Sequence, residues 1–294
     1  MSLNLEINPA LKMKSDIMFK AFFTRKENEG FLEGFLEEFL ESILERKIKV
    51  KTVGHDLRLE QLAKAQKFGI LDLGVELKNG EFINIEIQLR NYKNIEKRTL
   101  FYASKKVTEQ LDTGDDFRNL KPIIVIAILD YSFIDLPEYI TETVRVSAKH
   151  REYEINNDVK YYYIELNKFR KQNPDMTDTL SQWLSFLDME REDLLEMACK
   201  NNKNIKKAVE NYKVLTGDQE IKRLAELKLM AKLEEKSALD CAKEEGQEIG
   251  QEIGKRKTQI EIAQKLLKQK MSIKQVAEIT ELSETEIEKL KEKI

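Results

Sequence analysis

The chain has 294 residues, of which 35% are charged and 41% hydrophobic, with 53 acidic side chains against 50 basic ones. That length suits a main domain of about 150 residues plus further helical material in a soluble, helix-rich protein, and the near balance of charge means that any nucleic-acid binding must use a local patch. No apolar run approaches the roughly 20 residues a membrane span needs, and the start MSLNLEINPALKMKSD lacks the apolar core of a signal peptide.

Ser15 caps a short helix over Asp16 to Phe23. A longer helix is expected at 28–46, where Phe31, Leu32, Phe35, Leu36, Phe39, Leu40, Ile43 and Leu44 recur at helical spacing and form a core stripe. A strand-like stretch lies near 48–60. After a hairpin at 70–89, a helix near 94–112 places Leu100, Ala103, Val107 and Leu111 on one face, with Gly114 in the turn beyond it. Pro122 to Asp130, PIIVIAILD, is apolar on consecutive residues and reads as a central strand covered on both faces. Tyr161 to Leu166 is a further strand, its three tyrosines read as strand packing rather than as base-stacking rings. Past Pro174 the pattern is helical to about 245, with Trp183, Leu184, Phe186, Leu187, Leu194, Leu195 and Met197 as anchors. The expected organisation is a domain over 1–174, a helical extension over 175–245 and a small helical segment over 246–294. Cys199 and Cys241 show no CxxC spacing and read as free thiols in a reducing cytoplasm.

The hairpin ILDLGVELKNGEFINIEIQL raises the chemical question. Lys78-Asn79-Gly80 is a turn signal, and a three-residue loop with Gly80 in the left-handed position pairs Val75 with Ile83, Leu73 with Ile85 and Leu71 with Ile87 on an apolar face. The opposite face then pairs Gly74 with Asn84, Asp72 with Glu86 and Ile70 with Gln88. A two-residue loop would set apolar residues against polar ones along the whole hairpin. Two carboxylates about 5 Å apart at Cβ repel. A shared proton, a basic neighbour or a divalent cation would offset that repulsion. Two histidines, His55 and His150, are too few for a His-rich metal site, so an ion held here would be a hard one such as magnesium. A solvated polar sheet face is the competing explanation of the same residues. Against it stand the mid-strand aspartate, a poor strand former, and the helix and buried strand that follow.

The order of these residues resembles the PD-(D/E)XK nuclease core, in which an Asp on one strand is followed by Glu or Asp-x-Lys on the next, then a helix and another strand. Here it reads Leu71-Asp72 and Glu86-Ile87-Gln88, the acids fourteen residues apart. SDIMFKAFF, ILDLGVEL, NIEIQL, KRTLFYASK, GDDFRNLKPIIVIAIL and GQEIGQEIG extend the resemblance to the bacterial Rpn-like recombination-promoting nucleases, also labelled transposases of the PD-(D/E)XK superfamily. It covers roughly 12–170 well and the C-terminal part more loosely. It implies an α/β fold: a mixed central sheet flanked by helices, with an all-α C-terminal extension. It implies further that Asp72 and Glu86 bind Mg2+ or another divalent cation, and that Gln88 stands where the usual motif has lysine. A neutral amide supplies neither an ammonium's charge nor an amine's basicity, so Gln88 would orient a water, with Arg90, Arg98 or Lys105 as the source of positive charge. Arg98 and Tyr102, one helical turn apart, are candidates for the DNA backbone, although a solvated helix face explains them equally well. Asp16 and Lys20 fall in the family's N-terminal motif; Asp16 is read chiefly as the first-turn acid of its helix.

The last segment contains two capping boxes, Ser272 with Gln275 and Ser283 with Glu286. Ile262, Leu266, Val276, Ile279, Ile287 and Leu290 are its expected core. The shape is that of a helix-turn-helix, but ten Lys or Arg against nine Glu over 246–294 suit DNA only if Lys255-Arg256-Lys257 meet phosphate. Self-association through these helices is the favoured alternative. The glycines of GQEIGQEIG would permit close helix approach or form a joint. The leading expectation is a metal-dependent DNA endonuclease. The alternative is a catalytically weak DNA-binding or assembly protein that retains the nuclease fold, and a phosphodiesterase acting on RNA or a small nucleotide fits the residue types too.

Overall fold

A computed structural model of the chain describes residues 11–24, 29–54, 72–156 and 158–292. The hairpin pairs at Ile70 and Leu71 lie outside these residues, as do the side chains of Asp16, Phe31, Leu32 and Asp72.

Two helices open the described chain, α1 (Asp16–Thr24) and α2 (Glu29–Leu44). The Ser15 hydroxyl accepts the Met18 N–H at 3.3 Å and so caps α1. Strands β1 (Val50–Gly54), β2 (Asp72–Leu77) and β3 (Phe82–Gln88) follow, then helix α3 (Ile95–Thr108) and strands β4 (Ile123–Leu129), β5 (Ile140–Thr143) and β6 (Val159–Glu165). The six strands form one mixed sheet in the order β1-β2-β3-β4-β6-β5. Strands β3, β4 and β6 run parallel, and the outer pairings are antiparallel.

The hairpin adopts the three-residue register. Asp72 pairs with Glu86, Leu73 with Ile85, Gly74 with Asn84 and Val75 with Ile83, while Leu77 N–H bonds the Glu81 carbonyl at 2.9 Å. Gly80 takes φ +87°, the left-handed conformation this loop requires. Leu73, Val75, Ile83, Ile85 and Ile87 therefore share a face with Ile124, Ile126, Ile128 and Ile164, and all join one apolar core. Full burial of each such side chain contributes roughly 2 kcal/mol. From α1 and α2, Phe19, Phe22, Phe35, Leu36, Phe39 and Leu40 join the same core.

Every residue of β4 is buried, as its unbroken apolar run requires of a strand covered on both faces. The second cover is α3, and the stripe that periodicity suggests meets it in part. Ala103 is buried and Val107 packs beside it against Ile123 and Val125, whereas Leu100 is exposed and Ile95 and Thr99 complete the covering face. The face they meet is partly polar, and Thr99 Oγ1 lies 3.4 Å from the Tyr163 hydroxyl.

Helices α4 (Leu166–Lys171), α5 (Thr179–Asp188), α6 (Glu192–Asn201) and α7 (Lys203–Gly217) follow β6. They continue the main core across position 174. Trp183, fully buried, packs its ring against Phe35, Phe39 and Phe186 at 5.5–6.1 Å between centroids. Met197, expected as an anchor, is exposed. An ionic cluster links the chain start to this region: Lys14 Nζ reaches Asp130 at 3.0 Å, Asp188 at 3.2 Å and Glu190 at 2.8 Å, and Arg170 bridges Asp130 and Asp188.

Helix α8 (Gln219–Lys268) buries Ile221 and Ala225 near its start. It runs without a break through GQEIGQEIG, and every residue from Leu229 to Thr258 is exposed. The chain divides into two compact units, 1–228 and 229–294. In the second, the end of α8 packs with α9 (Ile273–Thr280) and α10 (Glu284–Lys291) around Ala263, Val276, Leu282 and Ile287. Both capping boxes form. Ile262 and Ile279 are exposed rather than core residues, while Ala263 and Leu282 take their places. Lys255 bridges Glu281 at 3.1 Å and Arg256 pairs with Glu286, so two of the three consecutive basic residues face acids of their own unit. Among the described residues no helix is long and apolar enough to cross a membrane.

Candidate functional site

Alternation along β3 sends Ile83, Ile85 and Ile87 into the main core and Phe82, Asn84, Glu86 and Gln88 to the face under α3. Burial there is deep: Glu86 is 1% exposed, Asn84 6% and Gln88 7%. A wet polar face does not describe this sheet. The pairing of Asp72 with Glu86 places a second acidic residue opposite the first, on β2.

Helix α3 lies over this face with a matching repeat. Arg98 forms an ion pair with Glu86, and the Lys106 ammonium sits 4.8 Å from the Phe82 ring centroid. Eight residues of helix and four of strand thus span the same distance, since four helical residues rise about 6 Å and two strand residues about 6.6 Å. Tyr102 falls between them on the same stripe, its ring 5.4 Å from the Arg98 guanidinium. Taking the Glu86 carboxylate out of water costs several kcal/mol, and the adjacent guanidinium offsets much of that.

Gln88 accepts a hydrogen bond at Oε1 from the Tyr131 hydroxyl at 3.0 Å. Tyr131 follows β4, and the Asp130 N–H bonds the Gln88 carbonyl at 3.0 Å, extending the parallel ladder past Leu129. Burial, and then the charge of Glu86, push the Tyr131 phenol up to about 12, against the opposing effect of Arg98. Glu165, the last residue of β6, is fully buried on the same face; it accepts the Phe133 N–H at 2.5 Å and the Lys168 ammonium at 2.6 Å. The Asn84 Nδ2 is buried without a hydrogen-bond partner among the described residues.

The structure thus brings Glu86, Gln88, Arg98 and Tyr102 together, beside the strand position of Asp72. Arg90 lies exposed beyond the end of β3, and Lys105 turns to solvent, 3.7 Å from Glu109. Tyr131 and Glu165 escape a reading of the sequence. They reach the site through the parallel pairing of β3, β4 and β6, which no local pattern announces.

No group of three or more His, Cys, Asp or Glu arranged to hold a metal occurs among the described residues. The residue types present nevertheless offer oxygens, a buried glutamate at position 86 and an aspartate at the position paired with it in register, and such residues suit a hard divalent cation. The guanidinium beside Glu86 shows that this position already favours positive charge.

No curated protein and no solved structure matches the chain. Residues 13–242 match the family model for PD-(D/E)XK nuclease family transposases, a span that includes the whole sheet, the paired acids of the hairpin and α3. With most of its length in that match, and a mixed sheet flanked by helices that carries Asp72 opposite Glu86, the chain belongs to the PD-(D/E)XK nuclease family transposases.

Proposed function

We propose that this protein is a DNA endonuclease that hydrolyses phosphodiester bonds with the help of Mg2+ or a similar divalent cation. The observation that carries the reading is the pairing in register of Asp72 with Glu86, whose carboxylate is buried on the sheet face under α3. A second acidic residue directly across from a buried carboxylate is costly unless a cation is shared there. Asp72 and Glu86 would hold the ion. When bound, it supplies charge neutralisation on the phosphodiester and a more acidic water. Arg98 neutralises Glu86 when no ion is present and offers a guanidinium to a phosphate when one is. Gln88 orients a polar partner at the position where the motif usually has lysine. By its family the activity belongs with recombination or mobile DNA.

The test is plasmid nicking with and without magnesium, comparing wild type with Asp72→Ala and Glu86→Ala. Metal-dependent nicking that falls at least 100-fold in both variants is the expected result. Equal cleavage by wild type and either variant would overturn the assignment of the site. The neutral Gln88 favours a second reading, a DNA-binding protein with little catalysis. That reading predicts DNA retention in a mobility-shift assay by a folded wild type that leaves the plasmid intact.

A further inference from the structure

We propose that Tyr131 is a positioning residue that locks the Gln88 side chain as a hydrogen-bond donor toward the reacting phosphate, a role that rests on the nuclease reading above. The Gln88 Oε1 carries no hydrogen, so in their 3.0 Å contact the phenol donates and the amide oxygen accepts. With its oxygen committed to Tyr131, the amide turns its NH2 group away from the phenol.

The lock addresses a defect of glutamine at this position. The last torsion of a glutamine side chain is broad and roughly two-fold, so an unheld amide presents its oxygen about as readily as its NH2. An oxygen turned toward a phosphate repels it, whereas an NH2 turned the same way stabilises developing negative charge. Lysine has no such ambiguity, because every hydrogen on its ammonium is a donor. Replacing lysine with glutamine therefore calls for a second residue that chooses the rotamer.

Tyr131 is well placed to make that choice. Its backbone neighbour Asp130 is tied to the Gln88 carbonyl at 3.0 Å, so β3 cannot shift without carrying the residues after β4 with it. Its ring packs against the cluster of Ile95, Ala127, Leu129 and Tyr163, which limits the path of the hydroxyl. A phenol is protonated throughout the neutral range, so the hydroxyl remains a donor there.

The experiment combines Tyr131→Phe, Gln88→Glu and Gln88→Lys. In metal-free, glutamine-15N-labelled protein, the side-chain NH2 signals of Gln88 are assigned by their loss in Gln88→Glu. Tyr131→Phe is expected to shift them and to speed their exchange with water. In cleavage assays Tyr131→Phe is expected to lower kcat about tenfold, the worth of one hydrogen bond, with KM for DNA unchanged. In a Gln88→Lys background the same change should cost less than about twofold, since an ammonium needs no rotamer selection. Unmoved amide signals in Tyr131→Phe would overturn the proposal, as would an equal kcat loss in both backgrounds, which would mark Tyr131 as merely structural. A folded wild type that does not cleave overturns the nuclease reading and the role toward phosphate with it; the NMR arm then still decides whether Tyr131 sets the amide.

Discussion

Glu86 holds its carboxylate at 1% exposure beside the Arg98 guanidinium, a pairing that governs both stability and chemistry. Arg98→Gln leaves a buried charge with its main counter-ion gone and should destabilise the fold by about 3 kcal/mol in urea unfolding. Arg98→Lys should recover part of this, because an ammonium keeps the charge but not the planar fork. Millimolar magnesium should narrow the deficit of Arg98→Gln more than it stabilises wild type, since the ion would neutralise the same carboxylate; an unchanged deficit would count against a cation at Glu86. A second pair acts through pH. Burial raises the Glu190 carboxyl, but bonds from Lys12 and Lys14 outweigh it and hold the group down at about 2. A depressed folded value means the stabilisation is present above the usual glutamate range and fades as the pH falls toward 2. The stability difference between wild type and Glu190→Gln should therefore be flat from neutrality down to about pH 5 and shrink progressively from there toward about pH 2. Because Glu190 is itself partly exposed, the difference should not exceed about 1 kcal/mol.

At the scale of elements, the hairpin was legible because one turn residue and one alternation pattern agree. Gly80 sits at φ +87°, where a side chain costs about 1–2 kcal/mol. Gly80→Ala should lower the melting temperature accordingly, and a Cβ there would also press on the Lys121 chain at 3.2 Å. Helix α3 departs from the expected stripe at Leu100 for a physical reason, although Ala103 and Val107 keep their places. Leu100 and Ile95 both lie on apolar repeats, and Ala103 belongs to each, so hydrophobicity alone leaves the rotation of the helix open. The sheet beneath settles it by offering Glu86 to Arg98 and the Tyr163 hydroxyl to Thr99. Polar complementarity between elements cannot be read from either element alone. The acids and Gln88 could be found because they lie in one hairpin, whereas Tyr131 and Glu165 required knowing which strands are parallel neighbours.

For the molecule as a whole, the tryptophan cluster explains why residues beyond Pro174 belong with the sheet. Trp183, Phe186, Leu194 and Leu195 fill the same core as Phe22, Phe35 and Phe39. Charge-rich helices with a single apolar stripe look like a separate extension in sequence, because the surface that receives the stripe lies more than 100 residues earlier. Helix α8 behaves differently. From Leu229 to Thr258 it is exposed throughout and carries Gly246, Gly250 and Gly254, each of which costs about 1 kcal/mol of helix propensity relative to alanine. Brief trypsin treatment should therefore cut first after Lys232, Lys236, Lys243, Lys255, Arg256 or Lys257, before any site within α5–α7. Mass spectrometry of the earliest fragments checks this, and a first cut within 179–217 would contradict it.

The register of the hairpin, rather than the length of its loop, is what the site depends on. Asp72 lies opposite Glu86, β2 is held on its outer edge by β1, and β3 is held from its other side by β4. A residue added to the turn is absorbed there as long as Leu77 stays opposite Glu81. A one-residue slip of β2 along β3 would instead turn the whole alternation of β2 over and take Leu73 and Val75 out of the core. The aliphatic residues of one face therefore act as a ratchet for the other: by refusing the slip, Leu73 and Val75 keep the two acidic positions in step although neither touches the site.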